Sequence, residues 1–310
     1  MTAILPYRRT AIFSAPRLWA DRGSRTETGT FMHPIELWNT QHFEHGEIFE
    51  PLRRAAAGLP QRGWPDIASV NALAQGCGAR MVNARGEALR FVEQRERPVE
   101  FAARFEPSTF LRGEVLVRPY NWHDLFNALV WMTFPRAKAA LNARHFAAMN
   151  EGASARSPVS DALTHFDEEG VIVLSTDATL LELLRAHQWK TLFVQRRDDV
   201  HARMKFIAFG HALFDKARAP FIGLTAKAIL LDVQEDSPSV QGGAKLDRVD
   251  SRLAAHFLDE SVLLSSRELA PLPVLGVPGW WPLNEAPSFY DNAAYFRPLG
   301  PRSPSSSNPA

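Results

Sequence analysis

His123 and Asn127 stand four residues apart, and so do Lys138 and Asn142, with His145 three residues beyond Asn142. Asp161, Asp167 and Glu168 follow a short way down the chain. Imidazoles and carboxylates brought together can pass protons to and from water, or can ligate a divalent ion as nitrogen and oxygen donors. An ammonium such as Lys138 can hold an anionic group, and the amides of Asn127 and Asn142 can orient it. These types define a candidate set. His123, His145, Asp161, Asp167 and Glu168 are catalytic candidates, and Asn127, Trp131, Lys138 and Asn142 are substrate-binding candidates. The spacing matches no named metal motif, so a divalent metal is an open cofactor rather than an assigned one.

These residues depend on the elements that carry them. At about 100° per residue, NWHDLFNALVWMT (121–133) places Trp122, Leu125, Phe126, Leu129, Val130 and Met132 on one broad apolar arc, leaving His123, Asp124, Asn127 and Trp131 on the other. Asn121 is a suitable N-cap. Pro135 suits the first position of a second helix. There Ala139, Ala140, Ala143 and Ala147 make a small-residue face, while Lys138, Asn142, His145 and Met149 form a polar line. The spacing predicts a helical hairpin whose two polar stripes share a water-accessible groove. The alternative is a structural hydrogen-bond network on half-exposed faces, because such groups cost about 1–3 kcal/mol each when buried without partners.

Elsewhere the pattern predicts helices over 45–60 (interrupted near Pro51), 65–75, 209–219 and 246–258, and one from Asp177 through His187. Strands are predicted over 88–94, 114–120 and 226–233, with 99–105 an irregular or short element. ALTHFDEEGVIVLS (162–175) reads as two short strands around an acidic, Gly-containing turn. His211 and Asp215, at i and i+4, read as an exposed pair; His42 and His45 read as surface residues. Helices and strands mix without regular alternation. The expectation is an α+β fold, one helix-rich domain with a small, mostly antiparallel sheet or hairpins. It would occupy 61–298, with an N-terminal wrapping segment over 1–60 and a disordered tail over 299–310. The Pro- and aromatic-rich stretch before that tail would pack across the body.

Composition narrows the classes. The chain has 310 residues, 45% apolar and 22% charged, which is ordinary for a globular protein and excludes wholesale disorder. A formal net charge of +1 argues against a general attraction to nucleic acid or to anionic membranes. The single cysteine, Cys77, excludes an intramolecular disulfide and a four-thiolate zinc site, and fits a reducing cytoplasm. No run approaches the length of a membrane span. GLTAK (223–227) lacks the flanking residues of a phosphate loop, GCGAR (76–80) lacks the third glycine of a dinucleotide loop, and neither HExxH nor GxSxG occurs.

NWHDLFNALVWMTFPRAKAALNARH, DALTHFDEEG, FGHALFDK with PFIGLTAKA, and LPVLGVPGWW with FYDNAAYFRP keep a specific order over roughly residues 60–298. Together they resemble the bacterial domain-of-unknown-function family numbered 3025. The resemblance implies a soluble proteobacterial-type protein and brings no activity, substrate or cofactor. Its motif positions here include His123, Asp124, Asn127, Lys138, Asn142, His145, Asp161, Asp167, Glu168, His211 and Lys216, which takes in most of the stripe residues picked out by helical projection. The reading that follows is a cytoplasmic hydrolase acting through the polar groove. The alternative is a non-catalytic nucleic-acid or protein-binding module using Arg136, Lys138, Arg144, Arg196 and Arg197 with Trp131, Trp280 and Trp281.

Overall fold

The computed structural model describes residues 37–78, 80–96, 100–150, 157–233 and 243–299. The expected wrapping segment lies outside the described residues up to position 36, and the expected tail does so from position 300. The helices and strands in chain order are α1 (Gln41–His45), α2 (Arg53–Ala56), α3 (Ile67–Gly76), β1 (Arg90–Glu93), α4 (Phe105–Arg112), β2 (Glu114–Val117), α5 (Trp122–Thr133), α6 (Pro135–Asn150), α7 (Pro158–Glu169), β3 (Gly170–Ser175), α8 (Ala178–Arg185), α9 (Arg197–Arg203), β4 (Met204–Ala208), α10 (His211–Ala217), β5 (Thr225–Asp232), α11 (Gly243–Leu258) and β6 (Ala270–Pro273). The fold is α+β.

The main sheet has four strands in the order β4-β3-β5-β6. β3 lies antiparallel to β4, with Val171 opposite Ala208, and parallel to β5, with Val171 opposite Ala228; β6 closes the edge antiparallel to β5. All six residues of β3 are buried, which explains its unbroken apolar run GVIVLS: a central strand covered on both faces has no solvent side to alternate towards. A separate parallel pair, β1 with β2, completes the strands among the described residues.

The α5–α6 hairpin forms where its sequence signals place it. Asn121 Oδ1 accepts from the Asp124 amide at 2.9 Å, so α5 starts with a satisfied cap. Trp122, Phe126, Leu129 and Val130 of α5 are fully buried, at about 1.5–3 kcal/mol of hydrophobic stabilisation per large side chain. This apolar arc, rather than the polar stripe, fixes the roll of the helix. α6 starts at Pro135 and lies along α11. The first amides of α6 are met from across that contact: Asp250 of α11 accepts from Arg136 N at 3.1 Å and from Ala137 N at 2.8 Å. Burial pushes the Asp250 carboxyl up to about 6.

One stretch differs from the sequence-based reading. Residues 162–169 are not a strand; they continue α7, and only 170–175 are extended. Ser157 caps that helix by accepting from Ser160 N at 3.1 Å, and Pro158 occupies its first turn. Ala162, Leu163 and Phe166 then give α7 a fully buried face. Within 99–105, read as an irregular or short element, the described residues hold the 3₁₀ turn Phe101–Ala103 and the first residue of α4, a two-turn helix closed by Gly113 in the left-handed region at φ 67°. The C-terminal stretch packs on the body through 3₁₀ turns. Tyr295 anchors it, its hydroxyl donating to Leu224 O at 2.6 Å and accepting from Leu275 N at 2.9 Å.

Candidate functional site

Three elements meet at the end of the sheet where β3 begins and β4 ends. α7 delivers Glu168 one residue before its C-terminus, α10 opens with His211, and α5 contributes His123 from its first turn. The main chain sets the approach. Phe209 N and Gly210 N both donate to Gly170 O at 2.9 Å. Gly210 lies so close that a Cβ there would fall 2.4 Å from both Glu168 O and Gly170 N. Only glycine lets the turn into α10 press against the end of α7, which brings His211 beside Glu168.

His123 Nε2 and His211 Nε2 face each other at 3.1 Å, with the rings 74° apart. Glu168 Oε2 is 3.7 Å from His211 Nε2 and 4.0 Å from His123 Nε2. These three donor atoms lie within 4.8 Å of one another and form the group, among the described residues, that could hold a metal ion. The cluster sits at a rim. His123 and Glu168 are half-buried with side chains 32% and 39% exposed, and His211 behind them is buried. Burial holds the His211 imidazole far below its ordinary value, at about 3, so the ring is neutral at neutral pH. Burial raises the Glu168 carboxyl, with Asp167 adding to the rise and His123 opposing it.

Beneath the rim is a sealed polar layer. Lys138 Nζ donates to Asp167 Oδ1 at 2.5 Å, and both residues are buried. Burial acts to raise the Asp167 carboxyl, but Lys138, His211 and His145 together hold it below the usual carboxylate range. Its other oxygen is 3.9 Å from His211 Nδ1, which has no hydrogen-bond partner among the described residues. Lys138 Nζ also lies 5.4 Å from the centre of the Trp131 ring. Asn142 donates to Glu106 O at 3.1 Å and to the Glu106 carboxylate. Asn127 Oδ1, Trp131 Nε1 and Asn142 Oδ1 are buried without a hydrogen-bond partner among the described residues.

The nine residues singled out by type and spacing therefore separate into three groups. His123 and Glu168 reach the rim. Asn127, Trp131, Lys138, Asn142, His145 and Asp167 lie in the sealed layer. Asp161 sits in the first turn of α7, two helical turns or roughly 10 Å from Glu168. The hairpin stripes do not line an open groove, because α5 is buried all round from Asp124 to Met132, so Asn127 and Trp131 meet packed neighbours rather than solvent.

His211 is the rim residue that the sequence reading set aside. It is not part of an exposed pair with Asp215, which instead bonds Arg218 at 2.7 Å. The available signal was Phe209-Gly210, a large apolar residue followed by a glycine, leading out of β4 into a helix start. His42, also read as a surface residue, is half-buried among the rings of Phe43, Phe49, Trp122 and Phe126, with a buried Nε2 that has no hydrogen-bond partner among the described residues. Burial, and then Arg218, lower its imidazole to about 4. A cleft of about 300 Å³ bounded by Trp64, Arg118, Tyr120 and Leu125 includes none of His123, Glu168 and His211.

The residues behind the binding-module alternative are largely engaged within the chain. Arg136 pairs with Asp247, Arg144 bonds the carbonyls of Phe257, Asp259 and Val262, Arg196 pairs with Asp199, and Arg197 pairs with Glu285. Trp131 is buried. No helix among the described residues is long and apolar enough to cross a membrane. No curated protein and no solved structure matches the chain. The model of the family described as "Protein of unknown function (DUF3025)" matches residues 89–300, a span that holds all three rim residues and the layer beneath them, and the chain belongs to that family.

Proposed function

We propose that the protein is a hydrolase whose water-activating groups are His123, Glu168 and His211. The observation that carries this reading is the convergence of two imidazole nitrogens and a carboxylate, at a rim open to solvent, over a buried ion pair. A water held among the three would lose a proton to Glu168, whose carboxyl binds protons more firmly than an exposed glutamate because it is partly buried. His211, kept neutral, would orient that water through Nε2. His123, with a third of its side chain in solvent, would return a proton to the leaving group. Asp167 would act through His211 as a positioning residue, and Lys138 would balance its charge. The sealed residues Asn127, Trp131, Asn142 and His145 would support this layer rather than touch substrate.

The test is a panel of ester, amide, phosphoester and glycoside substrates, run with wild type, Glu168→Gln and His123→Gln. Turnover of at least one class, reduced by about 10²–10⁴ in either variant, is the expected outcome for loss of a positioned acid or base. A panel with no turnover, or an activity indifferent to both substitutions, removes the proposal.

A further inference from the structure

The rim cluster has the composition and spacing of a metal site. Two imidazole nitrogens bound at about 2.0–2.1 Å to a tetrahedral ion stand about 3.3 Å apart, and closer to 3.0 Å in cis positions of an octahedral one. His123 Nε2 and His211 Nε2 stand 3.1 Å apart, between those two values. Without an ion, these atoms share a single proton, one ring donating to the other. An ion of charge +2 would replace that proton and satisfy both lone pairs at once. Glu168 Oε2, at 3.7 and 4.0 Å, is outside hydrogen-bond reach of either ring. A shift of its half-exposed side chain by about 0.5–1 Å would make it a third ligand.

The surroundings agree. The far nitrogen of His211, Nδ1, is buried without a hydrogen-bond partner among the described residues and faces Asp167 Oδ2 at 3.9 Å. Ligating histidines usually direct their second nitrogen to such an outer carboxylate, which fixes the tautomer and strengthens the ligand. Lys138 Nζ donates to the other oxygen of that carboxylate at 2.5 Å and holds it in place. Three protein ligands at a solvent-facing rim leave at least one position for water. Two nitrogen donors suit first-row transition ions rather than Mg²⁺ or Ca²⁺, which take oxygen.

We infer that His123, Glu168 and His211 form a two-histidine, one-carboxylate site for one divalent transition-metal ion of the Zn²⁺ class, with Asp167 as the outer carboxylate that positions His211. This rests on the hydrolase reading and replaces its proton-transfer roles: with an ion bound, His123 and Glu168 would hold the ion and the ion would supply the activated water, and binding can be measured without any substrate. Untagged protein stripped with a chelator is titrated with Zn²⁺ against a chromophoric competitor, and with Co²⁺ while visible absorption is recorded. The expected result is one ion per chain, with Co²⁺ bands of a site containing nitrogen ligands. Affinity should fall at least tenfold in His123→Ala and in Glu168→Ala, and should be unchanged in the exposed control His45→Ala. Both site residues are half-exposed, so these variants fold even if His211→Ala does not; circular dichroism verifies it. Absence of stoichiometric binding in wild type, or equal affinity in His123→Ala, Glu168→Ala and wild type, overturns the site. Hydrolysis that depends on His123 in a protein that binds no stoichiometric metal overturns the site while leaving the hydrolase reading intact. Metal binding at the cluster with no turnover on the panel supports the site and refutes the hydrolase.

Discussion

Lys138→Met should be among the most damaging single substitutions in the chain, and a second substitution should repair it. The Lys138 Nζ–Asp167 Oδ1 separation is 2.5 Å, and the side chains are 2% and 9% exposed. At an effective dielectric of about 20, two charges at that distance attract by about 6–7 kcal/mol. Most of that gain offsets the desolvation of the two ions. Removing the ammonium alone leaves Asp167 to carry a buried charge without its main partner, at a cost of about 3–5 kcal/mol. Replacing both, as Lys138→Met with Asp167→Leu, removes the desolvation as well as the attraction, and should return to within about 1–2 kcal/mol of wild type. Urea unfolding followed by tryptophan fluorescence measures this directly, because Trp131 lies beside the ammonium. With a urea dependence of about 3 kcal/mol per M, the single variant should shift the midpoint down by about 1–1.7 M. The reasoning is refuted if Lys138→Met costs under about 1 kcal/mol, or if the double variant costs the sum of the two single ones.

Two further outcomes follow from the geometry. The folded-state value of His42, about 4, lies below its ordinary 6.5, so protonation favours the unfolded chain. Its contribution is complete above pH 6.5 and is lost as pH falls through 6.5 to 4; the full shift is worth about 3 kcal/mol and partial solvent contact reduces this to about 2. Denaturant titrations at pH 7 and pH 4.5 should show this loss in wild type and not in His42→Phe; equal losses in both would refute it. Gly210→Ala drives a methyl group into Glu168 O and Gly170 N and should cost about 2–3 kcal/mol, read as a lower melting temperature together with weaker Zn²⁺ binding; an unchanged melt would show that the turn has slack.

The sequence disclosed local structure well and the meeting of distant elements poorly. Asn121 and Pro135 mark the hairpin because caps and first-turn prolines act within a few residues, and Asp177 likewise opens α8 by accepting from Thr179 N. β3 and α7 were confused because Asp167-Glu168-Glu169-Gly170 looks like a turn. Those carboxylates are acidic for another reason: they belong to a helix end facing Lys138, His123 and Lys216, all distant in sequence. Ser157-Pro158 carried the correct signal. The helical projection grouped Lys138, Asn142 and His145 on one face, and the structure keeps them together but buries them, since projection gives a direction and not the neighbour found there. His211 joins His123 through the packing of α10 on α5, and no periodicity links those positions.

Both amides that follow β4 donate to the one carbonyl that begins β3. The interval between Glu168 and His211 is consequently a main-chain dimension, tied to the first rung of the central ladder. Warming that frees side chains widens it little. It opens when β3 and β4 separate, and that separation exposes the fully buried strand at the middle of the sheet. Amide protection at Phe209 and Gly210 is thereby linked to the integrity of the core. Loss of the rim cluster by heat should coincide with global unfolding, with no partly melted, site-deficient form in between.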